Sequence, residues 1–202
     1  MYYNIVVRVR YLVNILGIDY SLNGTGLSIF NGKEVTFKKV FTTIKKNYEE
    51  NKEIFILSPK FENPLEKVDW VCEQIINCTN YDFVCMEDHI GSYYEWMDGY
   101  AIIKHYLRRN NIPTLMIAPT QLKKYAGSGK ADKTQMSYYL RKDYNIDLDY
   151  IGDSANNIVD ATWLSIVGYN FYRKFIQEKN IKLHPERLKI LTKLKEKYFR
   201  RR

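Results

Sequence analysis

The stretch Ile15-Leu16-Gly17-Ile18-Asp19-Tyr20-Ser21-Leu22-Asn23-Gly24-Thr25-Gly26 decides the fold class. Its first five residues read as a short apolar strand that ends on an acid, and Ser21–Gly26 is turn chemistry. Leu27–Phe30 resumes a strand, Asn31-Gly32 is a two-residue hairpin signal, and Val35–Phe41 answers it. Three antiparallel strands in succession follow. Downstream, Leu65 to Ile76 carries helical spacing at Leu65, Val68, Val71/Cys72 and Ile75/Ile76. Tyr81–Met86 is a buried strand that again leads to an acid, Glu87. Tyr100–Leu107 reads as a helix, and Ile112–Ile117 as a strand closed by Ala118-Pro119. A loop with Gly127-Ser128-Gly129 precedes a helix over Asp132–Tyr144. Asp153 to Phe175 is a long apolar helix, and the basic C-terminus forms a last one. The order β-β-β-α-β-α-β-α-α predicts an α/β fold: a mixed five-stranded sheet, its first three strands antiparallel, flanked by helices. Upstream, Tyr2–Val13 alternates loosely and reads either as an extra strand or as an extension. The expected organisation is an extension over 1–14, one domain over 15–178 and a basic helix or tail over 179–202.

Composition narrows the class. A chain of 202 residues with 46% hydrophobic and 27% charged residues buries a real core and is ordinary for a globular domain. No stretch approaches the roughly 18 apolar residues of a membrane helix. Arg8 and Arg10 interrupt the one early apolar run, so no signal peptide is read and a cytoplasmic chain is expected. Cys72, Cys78 and Cys85 are odd in number and form no CxxC pair, which predicts reduced, packed thiols. No His lies at zinc-ligand spacing from them. The formal charge of +8 is concentrated at the C-terminus: Lys182 to Arg202 holds nine Lys/Arg against two Glu. Such a surplus suits a polyanion, since each neutralised phosphate releases counterions. A solvated basic helix that aids solubility is the alternative reading of the same residues. The abundance of Tyr, Asn, Ile and Lys fits an AT-rich coding sequence such as a phage or low-GC bacterium carries.

Three acids carry the chemistry. Asp19 and Glu87 each end a buried strand, and Asp160 sits inside an apolar helix. Charged groups are rarely buried unless paired or bound to metal. Carboxylates far apart in sequence converge when their strands are neighbours, and such a cluster suits Mg²⁺ or Mn²⁺. Two such ions about 4 Å apart activate a water and stabilise the leaving oxygen of a phosphodiester. Asp is also a common cap and a lone helix acid usually points to solvent, so pattern alone leaves the metal reading open.

The segment Gly17-Ile18-Asp19-Tyr20-Ser21-Leu22-Asn23-Gly24-Thr25-Gly26 resembles the opening motif of RuvC-type Holliday junction resolvases, which are ribonuclease H-like nucleases. Three more blocks follow in the same order. Phe83-Val84-Cys85-Met86-Glu87 resembles the strand of the second acid. Ala118-Pro119-Thr120-Gln121-Leu122-Lys123-Lys124 with Gly127-Ser128-Gly129-Lys130-Ala131-Asp132-Lys133 is similar to the lysine-bearing segment. Asn157-Ile158-Val159-Asp160-Ala161 is similar to the final acidic helix. The likeness spans about residues 15–168, and it is the order of four blocks that makes it specific.

The resemblance implies a ribonuclease H-like fold and a metal-dependent endodeoxyribonuclease that nicks four-way DNA junctions as a homodimer. It implies Mg²⁺ or Mn²⁺, two ions per site, held by Asp19, Glu87, Asp160 and Asn157, and no small-molecule cofactor. It places Lys123 and Lys133 at the scissile phosphate or its neighbours, Lys133 with a catalytic role, and Lys124 and Lys130 among the DNA-binding residues. Lysines flanking a Gly-Ser-Gly loop can donate to phosphate oxygens, although two exposed helix-flanking lysines need no function. Two departures from the family pattern stand out. The family has acids at both ends of a D-x-x-D spacing, whereas this chain has Asn157 first and Asp160 second, three residues apart on one helix face. Asn157 is a tolerated ligand, or Asp153 replaces it (Asp153 also reads as an N-cap after Gly152), or an inactivating Asp-to-Asn change is present. Where the family often places a wedge aromatic, this chain has Ile90, followed by Tyr93, Tyr94 and Trp96. Aromatics on a loop stack on unpaired bases at roughly 1–3 kcal/mol each, or else pack the start of the next helix. The helix Tyr93–Leu107 is the candidate dimer surface. Rival readings are a nuclease on other branched DNA or RNA–DNA hybrid, and a junction-binding protein without catalysis.

Overall fold

Strand β1 (Ile15–Asp19) lies inside the sheet because it is apolar on both faces, with Ile15, Leu16 and Ile18 fully buried. The computed structural model describes residues 12–21, 23–78, 80–88, 94–151 and 156–200, with backbone only for 94–98. On one side β1 pairs antiparallel with β2 (Gly24–Phe30), which pairs antiparallel with β3 (Val35–Thr42). On its other side β1 runs parallel to β5 (Phe83–Glu87), which runs parallel to β6 (Thr114–Ile117). A short β4 (Phe55–Leu57) adds parallel to β3, giving the order β4-β3-β2-β1-β5-β6. The mixed sheet with three leading antiparallel strands is therefore present, but it has six strands where five were expected. The missed strand is three residues long, too short to show alternation.

Two expectations about turns need correction. Gly24-Thr25-Gly26 belongs to β2 and is not part of the turn. The hairpin after β2 is longer than the Asn31-Gly32 signal implies. It runs from Asn31 to Glu34, with Gly32 at φ +93° and Asn31 Oδ1 accepting from the backbone N–H groups of Lys33 (2.9 Å) and Glu34 (3.0 Å). That side chain mimics a backbone turn.

Helices cover both faces of the sheet. Between β3 and β4 lies a one-turn-and-a-half helix, α1 (Lys45–Glu50), absent from the sequence reading. Helix α2 (Pro64–Asn77) starts where Asn63 Oδ1 accepts from Glu66 N (3.0 Å) and Pro64 takes the first position, where its missing N–H costs nothing. With α3 (Tyr94–Arg109) it covers the face carrying Leu16, Ile18, Val84 and Met86. On the opposite face α6 (Asn156–Phe171) is buried nearly all round, as a helix that is apolar on every side must be. Around it pack α4 (Pro119–Ala126), α5 (Lys133–Tyr144) and α7 (Pro185–Arg200). Helix α4 was not anticipated, although Pro119 at its first position was a start signal. Asp132 caps α5 through Gln135 N (2.8 Å) and Gln135 returns the bond, which fixes the helix start. The long last core helix breaks into a π-helical turn at Tyr172–Ile176.

The basic C-terminal helix is more than a charged tail. Ile190, Leu191 and Leu194 enter the core. The Arg187 guanidinium lies over the rings of Tyr125, Trp163 and Tyr144 and donates to the carbonyls of Tyr125 (2.8 Å) and Ala126 (3.0 Å). It thus satisfies the last carbonyls of α4 and fixes α7 against the lysine-bearing segment. Cys72, Cys78 and Cys85 are buried and unbridged, and burial pushes the Cys78 thiol up to about 11. Among the described residues no helix is long and apolar enough to cross a membrane.

Candidate active site

The site begins with two strand ends in register. Gly17 pairs with Cys85 and Ile18 with Met86, so Asp19 and Glu87 leave neighbouring parallel strands at the same level. Side chains alternate across a strand, so Asp19 shares the face of Ile15 and Gly17, and Glu87 that of Phe83 and Cys85. This is the face on which α6 lies. A Cβ at Gly17 would sit 1.9 Å from the carbonyl oxygen of Ala161 and 2.6 Å from the backbone nitrogen of Ser165. At Gly26 it would sit 2.2 Å from the carbonyl oxygen of Asn157, and at Gly168 2.6 Å from Ile15 Cγ2. The helix therefore runs antiparallel to β1 in direct backbone contact, and its first turns arrive beside Asp19. Asp160 is brought there by this contact.

Burial and mutual repulsion dominate the electrostatics. Burial, then the charges of Asp160 and Glu87, push the Asp19 carboxyl well above the usual carboxylate range, with Lys133 pulling the other way. Burial, then Asp160, raise Glu87 from 4.5 to about 7, opposed by Lys133 and Lys123. Lys133 forms an ion pair with Asp160. Three acids from β1, β5 and α6 thus sense one another, with two lysines from α4 and α5 beside them. Among the described residues no three of these side chains are drawn into a closed ligand cluster. The donor set nonetheless fits a hard divalent cation: it is all oxygen, mostly buried and short of positive charge.

The remaining sequence candidates divide. The Asn157 side-chain amide donates to the carbonyl of Gly24, which ties the first turn of α6 to β2. Its carbonyl oxygen is then the group it has to offer a cation. Lys123 is half-buried and acts on Glu87, whereas exposed Lys124 leans to Glu186 of α7 (3.6 Å). Lys130 is exposed, with its backbone N–H donating to Ser128 Oγ (3.3 Å). Tyr93 and Asp153 lie outside the described residues, as do the side chains of Tyr94 and Trp96. Of the candidate dimer helix, Tyr100, Ile103 and Leu107 are buried in the chain's own core, so those three are not available to a partner.

Two residues at the site were missed. Tyr100 donates its hydroxyl to the carbonyl of Tyr20 (2.8 Å), bracing the chain just after Asp19. Burial and the charges of Asp19 and Glu87 raise its phenol. Asp88 follows Glu87 and is also buried, but it accepts from Lys104 (3.0 Å) of α3 and from Lys197 of α7. Burial pushes its carboxyl up, and the hydrogen bonds from Lys197 and Lys104 outweigh that and hold it low. Its signal was a second acid in sequence, Glu87-Asp88, which alone does not say which of the two is compensated.

A pH dependence follows. A carboxyl whose folded pKa is raised supports the fold below its unfolded pKa and withdraws that support as pH rises through the folded value. For Glu87 the window runs from about 4.5 to about 7. With chelator present, thermal unfolding at pH 8 is expected at lower temperature than at pH 5.5, and millimolar Mn²⁺ is expected to raise it more at pH 8. A cation effect equal at both pH values would separate the cation from these acids.

The architecture is the ribonuclease H-like fold. More narrowly, it is the RuvC form of that fold. The chain matches Thermus thermophilus RuvC in complex with Holliday junction substrate at TM-score 0.56 and 15% identity, over 76% of this chain and 91% of that one. A further Thermus thermophilus RuvC structure matches at 0.53 and 15%, over 80% and 96%. The yeast mitochondrial Holliday junction resolvase Ydc2 matches at 0.54 and 15%, over 92% and 81%. No protein-family model and no curated protein matches the chain.

Proposed function

We propose that the chain is a divalent-metal-dependent endonuclease that nicks four-way DNA junctions. The observation that carries this reading is the convergence of Asp19, Glu87 and Asp160 on one face of the sheet, with Lys133 and Lys123 beside them. A structural acid is expected to be compensated, as Asp88 is. At Asp19 and Glu87, burial and then the neighbouring carboxylates instead raise the affinity for protons, a cost that folding alone does not explain.

Asp19, Glu87 and Asp160 would hold the cation, with Asn157 as a neutral fourth donor. Bound Mg²⁺ or Mn²⁺ would supply an activated water and charge stabilisation at the leaving oxygen. Lys133 serves as the internal counter-charge of Asp160 until a cation and a phosphate enter, and its ammonium is then available to a phosphate oxygen. Lys123 balances Glu87 in the same way. The Tyr100 hydroxyl holds the Tyr20 carbonyl and so keeps the Asp19 backbone in place. Tyr93, Tyr94 and Trp96 follow the strand of Glu87 and would stack on bases opened at the junction centre. Lys124, Lys130 and the outer face of α7 would hold backbone phosphates. A homodimer would present two such sites about a two-fold axis, matching the symmetry of the junction.

The test is incubation of the chain with a synthetic four-way junction, linear duplex and RNA–DNA hybrid, with Mg²⁺ or Mn²⁺. Paired nicks confined to the junction are expected; equal cutting of linear duplex would replace this reading with a general nuclease. Asn157→Asp is expected to preserve or raise cleavage, because it adds a charge to the donor set. It also sets a carboxylate against the Gly24 carbonyl, so a stability loss of about 1–3 kcal/mol is expected without metal. Loss of cleavage in a folded variant would remove Asn157 from the site.

A further inference from the structure

Among the described residues strand β6 is an edge strand, with no further strand on its outer side. Val84 N donates inward to the Pro113 carbonyl (3.0 Å), and Asp88 N to the Ile117 carbonyl (2.8 Å). In this parallel pairing the odd-numbered residues of β6 turn their backbone groups to β5, and Thr114 and Met116 turn theirs outward. Among the described residues, no hydrogen bond reaches the N–H or C=O groups of Thr114 and Met116. Exposed edges of this kind are usually blocked by charges, proline or a covering element. Here charges and Pro113 stand beside the edge, yet it opens into a groove of about 580 Å³ between α3 and α7. Ile112, Pro113 and Leu194 give it apolar walls, and Lys104, Arg108 and Lys197 bring three cations to it. Among the described residues no acidic side chain lines it. Lys104 and Lys197 share a single carboxylate, Asp88, so the groove keeps a positive balance, and Arg108 is exposed.

We propose that this groove docks an extended acidic peptide segment of a partner protein, which adds to the sheet beside β6. The alternating N–H and C=O groups of Thr114 and Met116 decide between the two anionic partners that the charge alone would admit. A peptide strand both donates and accepts, and so satisfies both kinds of group. A phosphodiester only accepts, and it would leave two carbonyls facing its oxygens. The apolar walls likewise suit alternate side chains of a strand better than a sugar-phosphate chain. The cations then select acidic over basic segments and speed encounter.

The experiment uses the full chain and a fluorescein-labelled octapeptide of alternating Glu and Val, read by anisotropy and by amide hydrogen exchange. Binding is expected, with exchange slowed at the Thr114 and Met116 amides. The same peptide N-methylated at alternate positions should not bind, and neither should the Lys-Val counterpart. Arg108→Glu should weaken binding by roughly tenfold or more. Met116→Pro removes one outward N–H at an edge position that tolerates proline, and it should also weaken binding. If the latter variant fails to fold, the exchange data on the unaltered chain still decide. Undiminished binding of the N-methylated peptide, or unchanged exchange at both amides, overturns the proposal. So does an Arg108-dependent site that takes single-stranded DNA in place of the peptide.

Discussion

Asp19→Asn is expected to lower metal-dependent junction cleavage by about 10³-fold or more, while leaving the fold intact. On the proposed reading, removing one charged donor for the cation forfeits on the order of 4 kcal/mol of transition-state stabilisation. The stability side is what makes the test specific. Asp19 is half-buried, and desolvation, then Asp160 and Glu87, push its carboxyl further from ionisation. Replacing it with the neutral isostere removes repulsion, so the unfolding temperature in chelator at pH 8 should stay level or rise. Junction binding in chelator should persist, because the phosphates meet one negative charge fewer. Asp88→Asn is the counter-example. That carboxylate is paired with Lys104 and Lys197, and its loss should lower stability, since it strands two cations that lean on it. The outcome that would sink the assignment is an Asp19→Asn chain that still cuts, or one that unfolds as Asp88→Asn does.

Gly17→Ala is expected to be as damaging for a wholly different reason. The added methyl would lie 1.9 Å from the Ala161 carbonyl oxygen and 2.6 Å from the Ser165 nitrogen, both backbone atoms of α6. Rotation of a side chain cannot relieve that clash. The helix would have to retreat by about 1.5 Å or more before ordinary contact returned. Overpacking in a core commonly costs about 1–3 kcal/mol, and a backbone-on-backbone clash belongs at or above the top of that range. Against a total stability of roughly 5–15 kcal/mol the loss is large. Retreat of α6 would also carry Asp160 away from Asp19, so cleavage and metal binding should fall together with the denaturation midpoint. Gly129→Ala is the control. Its new methyl would meet nothing nearer than Lys124 Cβ and the Thr120 carbonyl at 3.9 Å, and stability should change little. A Gly17→Ala chain as stable as Gly129→Ala would show that α6 does not rest on β1.

These two substitutions divide the protein along the line between what is local and what is not. Local signals were legible in the sequence. The apolar strand before Asp19, the strand before Glu87, the amphipathic α2 and the helix that opens at Asp132 all depend on neighbours within a few residues. Even the three acids could be singled out, because an acid bounded by buried apolar residues is conspicuous. Short or ambiguous elements were not legible. Phe55–Leu57 is too brief to carry a period, and Gly24-Thr25-Gly26 reads as a turn to any local rule. Its glycines are there because a helix more than a hundred residues later presses on the strand.

The sequence alone therefore determined five of the six strands of the described sheet, its antiparallel start, and which acids stood out as candidates. Only the tertiary structure decided which acids meet lysines and which are set beside other carboxylates. Asn157 meets Gly24 across 133 positions, Lys197 meets Asp88 across 109, and Arg187 of the basic tail turns inward to cap α4. The physical reason is range. Backbone propensity and capping act between neighbours, whereas a carboxylate's charge state depends on burial and on whatever cation the packing of distant helices sets beside it.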